Sequence, residues 1–317
     1  MTAESTDPQI PSDPLSVGGQ AVLEGVMMRA PSGWAVAVRK PDGTIEAQRH
    51  DLPKLSSRSR WAKVPFVRGI LVLGESLTLG FRALSWSAQK SVGEEEKELT
   101  RLEIAGSMLL AFVLFAGLFI VAPAAIANAV SGESEVVFAT LEAVIRIVIF
   151  IAYIWALGRS KEIARVFQYH GAEHMAIHAF EAGDPLSVES VERYNPEHPR
   201  CGTSFLLLVI VISIVLFTIV GRADWVVLIL SRVIGIPLVA GISYEILKWS
   251  GTNGGEWFAR SLAAPGLWLQ KLTTARPEQP MIEVAVTSLL SALNDDLVAE
   301  VVERGGLPQA ALDAYAR

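Results

Sequence analysis

From residue 104 to residue 127 the chain carries no charged side chain. A helix of that length reaches across a hydrocarbon core of about 30 Å at 1.5 Å per residue, and in water its apolar surface would have nowhere to go. Residues 104–121, extended by Pro123-Ala124-Ala125-Ile126-Ala127, are read as the first of four transmembrane helices. The others are residues 136–157, 203–220 and 225–247, each close to the roughly 20 residues a crossing needs. The second carries Glu142 and Arg146 one helical turn apart, and the fourth carries Arg232 and Glu245. Charge at that depth is costly, so these side chains are expected to face the bundle interior and pair. The expected fold class is a polytopic α-helical membrane protein with four transmembrane helices, an interfacial or re-entrant helix and a small cytoplasmic β element.

Lysine and arginine fall on one side of this arrangement. Lys63, Arg68, Arg82, Lys90, Lys97 and Arg101 precede the first span, Arg159, Lys161 and Arg165 follow the second, and Lys248, Arg260, Lys271 and Arg276 follow the fourth. Residues 128–135 contain no basic side chain and residues 221–224 contain only Arg222. The charge rule then predicts a multi-pass protein of the cell membrane with both termini cytoplasmic. Residues 64–88 are apolar but broken by Arg68, Glu75 and Arg82. A crossing there would export the basic stretch from Arg29 to Lys63, so an interfacial, re-entrant or bundle-packed helix is the better reading.

The rest of the composition narrows the class. Hydrophobic residues make up 51% of 317, and the lipid bilayer is the first partner this implies. A net charge of -6 excludes the basic footprint a nucleic-acid partner needs. A single cysteine, Cys201, excludes an intramolecular disulfide. Residues 1–15 have neither a basic start nor an apolar run, so no cleavable signal peptide is expected. In residues 16–48 short alternating stretches flank Lys40-Pro41-Asp42-Gly43, a hairpin signal. The organisation that follows is 1–63, N-terminus and β element; 64–101, interfacial helix and linker; 102–158, first hairpin; 159–202, histidine-rich segment; 203–247, second hairpin; 248–317, helical C-terminal region.

Four of the five histidines lie within one polar segment. On a helix stopped by Gly183, Asp184 and Pro185, the side chains of His170, His174, His178 and Glu181 share one face. His170 to His174 reads H-x-x-E-H, in which two imidazoles bind Zn²⁺ and the intervening Glu173 serves as the catalytic base. A third ligand comes from Glu181, or from His198 or Cys201 just before the third span. Three protein ligands with an open position make a catalytic zinc site, and four make a structural one. The same histidines can also simply decorate a polar helix beside the membrane.

The segments GGQAVLEGVMMR from Gly18, YHGAEH from Tyr169, HPRCGTSF from His198, IPLVAGISYE from Ile236 and GLWLQKLTT from Gly266 together resemble the bacterial DUF1385 family, the YqhQ-like proteins. The resemblance runs along nearly the whole chain. It implies an integral membrane protein described as a metal-dependent enzyme, with His170, Glu173, His174, His198 and Cys201 as the metal-site positions. Met175 departs from the lysine usual after the second histidine, which removes a cation for oxyanion stabilisation but no metal ligand. Glu24 and Arg29, within the first of these segments, are read as a packed ion pair or as completing a polar cleft.

The functional expectation is a membrane hydrolase at the cytoplasmic interface that holds a divalent metal, zinc by preference, with Glu173 activating water and a peptide or lipid-linked substrate. A non-enzymatic metal-stabilised scaffold or assembly factor, with a membrane protein or peptide partner, is the alternative. A transporter lined by Glu142, Arg146, Arg232 and Glu245 is the third reading. Oligomeric state is not legible.

Overall fold

The computed structural model describes residues 17–52, 64–91, 101–198, 201–221, 224–252 and 257–315. Four strands open the fold: β1 (Gly18–Val22), β2 (Gly25–Ala30), β3 (Gly33–Arg39) and β4 (Ile45–His50), an antiparallel meander in the order β1-β2-β3-β4. The expected turn joins β3 to β4. There the Asp42 carboxylate accepts the Thr44 N–H at 2.9 Å, and Gly43 takes the positive φ of 84° that the turn demands.

The helices follow in chain order: α1 (Val67–Ser91), α2 (Arg101–Ala116), a π-helical turn at Gly117–Val121, α3 (Ala122–Val130), α4 (Glu135–Leu157), α5 (Lys161–Ala182) and α6 (Val188–Val191). Then come α7 (Thr203–Val220), α8 (Trp225–Thr252), α9 (Trp257–Thr273), α10 (Gln279–Ala292), α11 (Asp295–Arg304) and α12 (Gln309–Tyr315).

The sheet is buried on both faces. Side chains alternate across a strand, so Met28, Ala35 and Ala37 face one way while Met27, Trp34, Val36 and Val38 face the other. The small alanines let α5 and α10 lie close, where Ala172, Ala176, Ile282, Ala285 and Leu289 complete one core. On the opposite face Leu79 and Ala83 of α1 cover the tryptophan and valines. Three layers result, helix on sheet on helix, with strands far apart in sequence from the helices they pack against.

Two expectations are corrected here. Among the described residues three helices are long and apolar enough to cross a membrane: Leu109–Val130, Glu135–Leu157 and Leu230–Ser250. The four transmembrane helices read from the sequence therefore become three. The apolar stretch of α7, Phe205–Val220, spans only about 24 Å at 1.5 Å per residue, short of the hydrocarbon thickness. Nor is there a separate small cytoplasmic β element. The strands form the middle layer of a packed domain, and nothing in that layer marks a compartment.

The helix α1 has two characters. One face meets the sheet and α8, while Ile70, Leu71, Leu77, Phe81 and Leu84 remain exposed. Arg68 at its start pairs with Glu245 of α8. Deeper in the bundle, Glu142 accepts from Arg146 at 2.5 Å within α4 and from Arg232 of α8 at 2.9 Å. The Arg232 guanidinium also lies 4.0 Å from the centroid of the Phe217 ring of α7. One carboxylate thus ties α4 to α8, and the Glu142–Arg146 pairing expected within the helix gains a third member.

Candidate metal centre

Helix α5 runs unbroken from Lys161 to Ala182 and ends at Gly183, whose left-handed φ of 74° closes the last turn. That continuity puts His170 and His174 one turn apart on the same side. Cys201 arrives from the segment just before α7. One ring nitrogen from each histidine and the Cys201 sulfur all lie within 4.8 Å of one another. His170 Nε2 lies 3.2 Å from Cys201 Sγ.

The outer hydrogen bonds decide which nitrogens are free. His170 Nδ1 is 2.9 Å from the Thr273 carbonyl, and His174 Nδ1 is 2.5 Å from the Pro196 carbonyl. A carbonyl oxygen only accepts, so each Nδ1 donates its hydrogen and each Nε2 keeps a lone pair. Metal-binding histidines adopt this arrangement, with the second nitrogen held by a carbonyl or carboxylate. Burial lowers the pKa of His170. The pKa of His174 is lowered well below the usual imidazole value by burial and by the neighbouring His170. Both imidazoles are therefore neutral at pH 7. Burial pushes the Cys201 thiol up to about 12, with the charge of Glu173 adding to the effect. The metal-free chain holds a thiol there, and metal binding would displace its proton.

The remaining expected residues form a second group one turn further along α5. His178 Nε2 donates to the Glu197 carbonyl at 3.0 Å, and the ring stacks on Tyr194. His198 Nε2 lies 3.5 Å from the Glu181 carboxylate, and burial lowers the His198 pKa to about 4. His198 is 4.3 Å from His178 between ring centroids, and 5.7 Å from His174.

Glu173 points elsewhere. It is buried against β1, where it accepts a hydrogen bond from the Gly19 N–H, and its Oε2 has no partner among the described residues. Burial pushes its carboxyl up to about 8, so it keeps a proton at neutral pH. Gly19 allows this contact, because a Cβ there would collide with the Met27 carbonyl and sit 3.1 Å from the Glu173 carboxyl. Gly171 has a similar role on α5, where a Cβ would strike the Ala275 carbonyl of the segment after α9.

Sequence reasoning missed the residues that hold this group in place. Gln270 of α9, fully buried, accepts the His198 N–H at 2.8 Å and donates to the His198 carbonyl at 2.9 Å. Thr273 and Pro196 contribute through main-chain oxygens, which leave no mark in a sequence. Gln270 does carry a signal, since it stands inside the GLWLQKLTT segment. The expected Glu24–Arg29 pair is not formed. Glu24 instead receives Arg165 at 2.6 and 2.5 Å and the Tyr169 hydroxyl at 3.3 Å.

No solved structure matches the chain. The protein is 32% identical over 306 residues to "Uncharacterized protein YqhQ" of Bacillus subtilis (strain 168), an alignment that covers 90% of this chain and 95% of that relative. The profile described as "Protein of unknown function (DUF1385)" matches residues 64–295, a range that takes in His170, His174, Cys201 and Gln270. The chain belongs to the DUF1385 family.

Proposed function

We propose that this chain is a metal-dependent membrane enzyme, a hydrolase whose metal is held by His170, His174 and Cys201. The observation that carries the reading is the pair of Nδ1–H groups committed to Thr273 and Pro196, which leaves two Nε2 lone pairs beside a thiol. Two imidazole nitrogens and one sulfur suit Zn²⁺, which takes both ligand types in tetrahedral sites. Bound there, zinc would act as a Lewis acid at a fourth, open position. His178, Glu181 and His198 belong on this reading to the polar shell around the ligands. Glu173, protonated near neutral pH and within electrostatic reach of Cys201, is the group that holds and releases a proton during hydrolysis.

The domain is proposed to face the cytoplasm. The sheet, α5 and α10 share one core and so lie on one side, and because α7 is too short to cross, α7 and α8, packed against each other, are proposed to enter and leave the membrane on that same side without a net crossing. That side also has most of the lysine and arginine, while residues 128–135 have none.

The test uses detergent-purified protein from zinc-supplemented cells and a strain that depends on this gene. Wild type and Glu173→Gln are expected to hold about one equivalent of metal each, with Glu173→Gln failing to support the strain. A wild type without stoichiometric metal would end the proposal. A second reading, a metal-stapled scaffold, is favoured by the origin of the ligands in two separate elements, α5 and the segment before α7. It requires Glu173→Gln to support the strain fully.

A further inference from the structure

On the face of the sheet away from α5, a cavity of about 490 Å³ opens between β1, β2, α1 and α8, lined among others by Gly18, Gln20, Arg29, Val72, Leu79 and Tyr244. Its chemistry is divided. Val72, Leu79 and Met27 make an apolar wall, whereas Arg29 brings a full positive charge to one end. Among the described residues Arg29 has no ion-pair partner, and the nearby Glu245 is committed to Arg68. Gly18 lies directly across the strand pair from Arg29, and a Cβ at Gly18 would have nothing within 4 Å. The missing side chain therefore leaves room beside the guanidinium. Gly19 next to it has the opposite requirement, since its Cβ space is filled by Met27 and Glu173.

We infer that this cleft binds an anionic membrane lipid, with the headgroup phosphate on Arg29 and the acyl chain along the apolar wall. A guanidinium is the side chain best shaped for a phosphate, and one without a carboxylate partner has its donors free. The source of the anion follows from the surroundings. Tyr244 belongs to the Leu230–Ser250 span, and Val72 and Leu79 of α1 line the cleft beside it with apolar side chains. A phosphate seated there would have its hydrocarbon beside an apolar surface, which a soluble phosphate cannot use. The cleft and the metal ligands lie on different layers, so this assignment stands apart from the metal reading.

Native mass spectrometry of the full detergent-solubilised chain tests it, using phosphatidylglycerol and phosphatidylcholine at equal concentration, with inorganic phosphate as a competitor. Wild type is expected to retain phosphatidylglycerol over phosphatidylcholine, unaffected by inorganic phosphate. Arg29→Gln is expected to bind phosphatidylglycerol about tenfold more weakly. Gly18→Leu keeps Arg29 but fills the space beside it, and is expected to lose at least as much binding with an unchanged unfolding temperature. Wild-type retention of phosphatidylglycerol by both variants would overturn the inference, as would equal retention of phosphatidylcholine. Displacement of the lipid by inorganic phosphate would make this a soluble-anion site and overturn it as well. Metal content read in the same samples is expected to be the same in all three proteins, which separates failure here from failure of the metal reading.

Discussion

Gln270 has no charge and binds no metal, yet both of its polar ends are spent on the main chain of His198. Gln270→Leu keeps the bulk and removes both bonds, leaving a buried N–H and C=O unpaired at about 1–3 kcal/mol for each. The expected outcome is a lower unfolding temperature together with faster metal loss to a chelator, whereas a surface glutamine would change neither. Glu24 gives a prediction in pH. Its carboxyl is held below the ordinary value by the Arg165 hydrogen bonds, so its contribution is present above pH 4.5 and fades as pH falls through the lowered value. The pair is partly exposed, which limits the contribution to about 1 kcal/mol. Chemical denaturation should show wild type ahead of Glu24→Gln at pH 7, with the gap closing below pH 4.5. An equal gap at pH 3 would contradict this. The grouping of His170, His174 and Cys201 was legible in part, because a four-residue spacing and a lone cysteine are local facts. The direction of Glu173 was not, since its partner is a main-chain N–H at the start of the chain.

At the scale of elements, hydropathy located the apolar helices but overstated α7, where length fails while composition does not. It also read one hairpin where four strands form, because only the β3–β4 turn has Pro-Asp-Gly. The β1–β2 turn is made by Leu23 and Glu24, with Glu24 at a φ of 49°. Nothing local in those two residues announces a turn; the Arg165 contact from α5 accompanies it. The intrahelical Glu142–Arg146 pair was legible from spacing, but Arg232 was not, since its place depends on how α8 packs. That third member sets an order of effects. Glu142→Gln leaves two buried guanidiniums without a carboxylate, at a cost of about 3 kcal/mol. Arg146→Met leaves Glu142 and Arg232 as a matched pair and should cost less. Unfolding in mild detergent checks the order, and a greater loss for Arg146→Met would show that Arg232 does not share the carboxylate.

At the scale of the whole molecule, three stretches of chain separated by apolar helices return to one layered domain, which no window of sequence reveals. Sidedness follows as a single property. Cysteines introduced one at a time at Asp42, Glu133, Glu189 and Glu303, all exposed, report it against the buried native Cys201. A membrane-impermeant thiol reagent added to intact cells is expected to label Glu133→Cys alone; labelling at any of the other three would place the domain outside. The return of α5, the segment before α7 and α9 to one place is also what brings together His170, Cys201 and Thr273. X-ray absorption at the zinc edge of the detergent-purified chain reads that convergence directly. The account predicts a metal bound by nitrogen and one sulfur, with the sulfur signal lost in Cys201→Ser and about one equivalent of metal lost in His174→Ala. A zinc spectrum without sulfur, or one unchanged in Cys201→Ser, would contradict it.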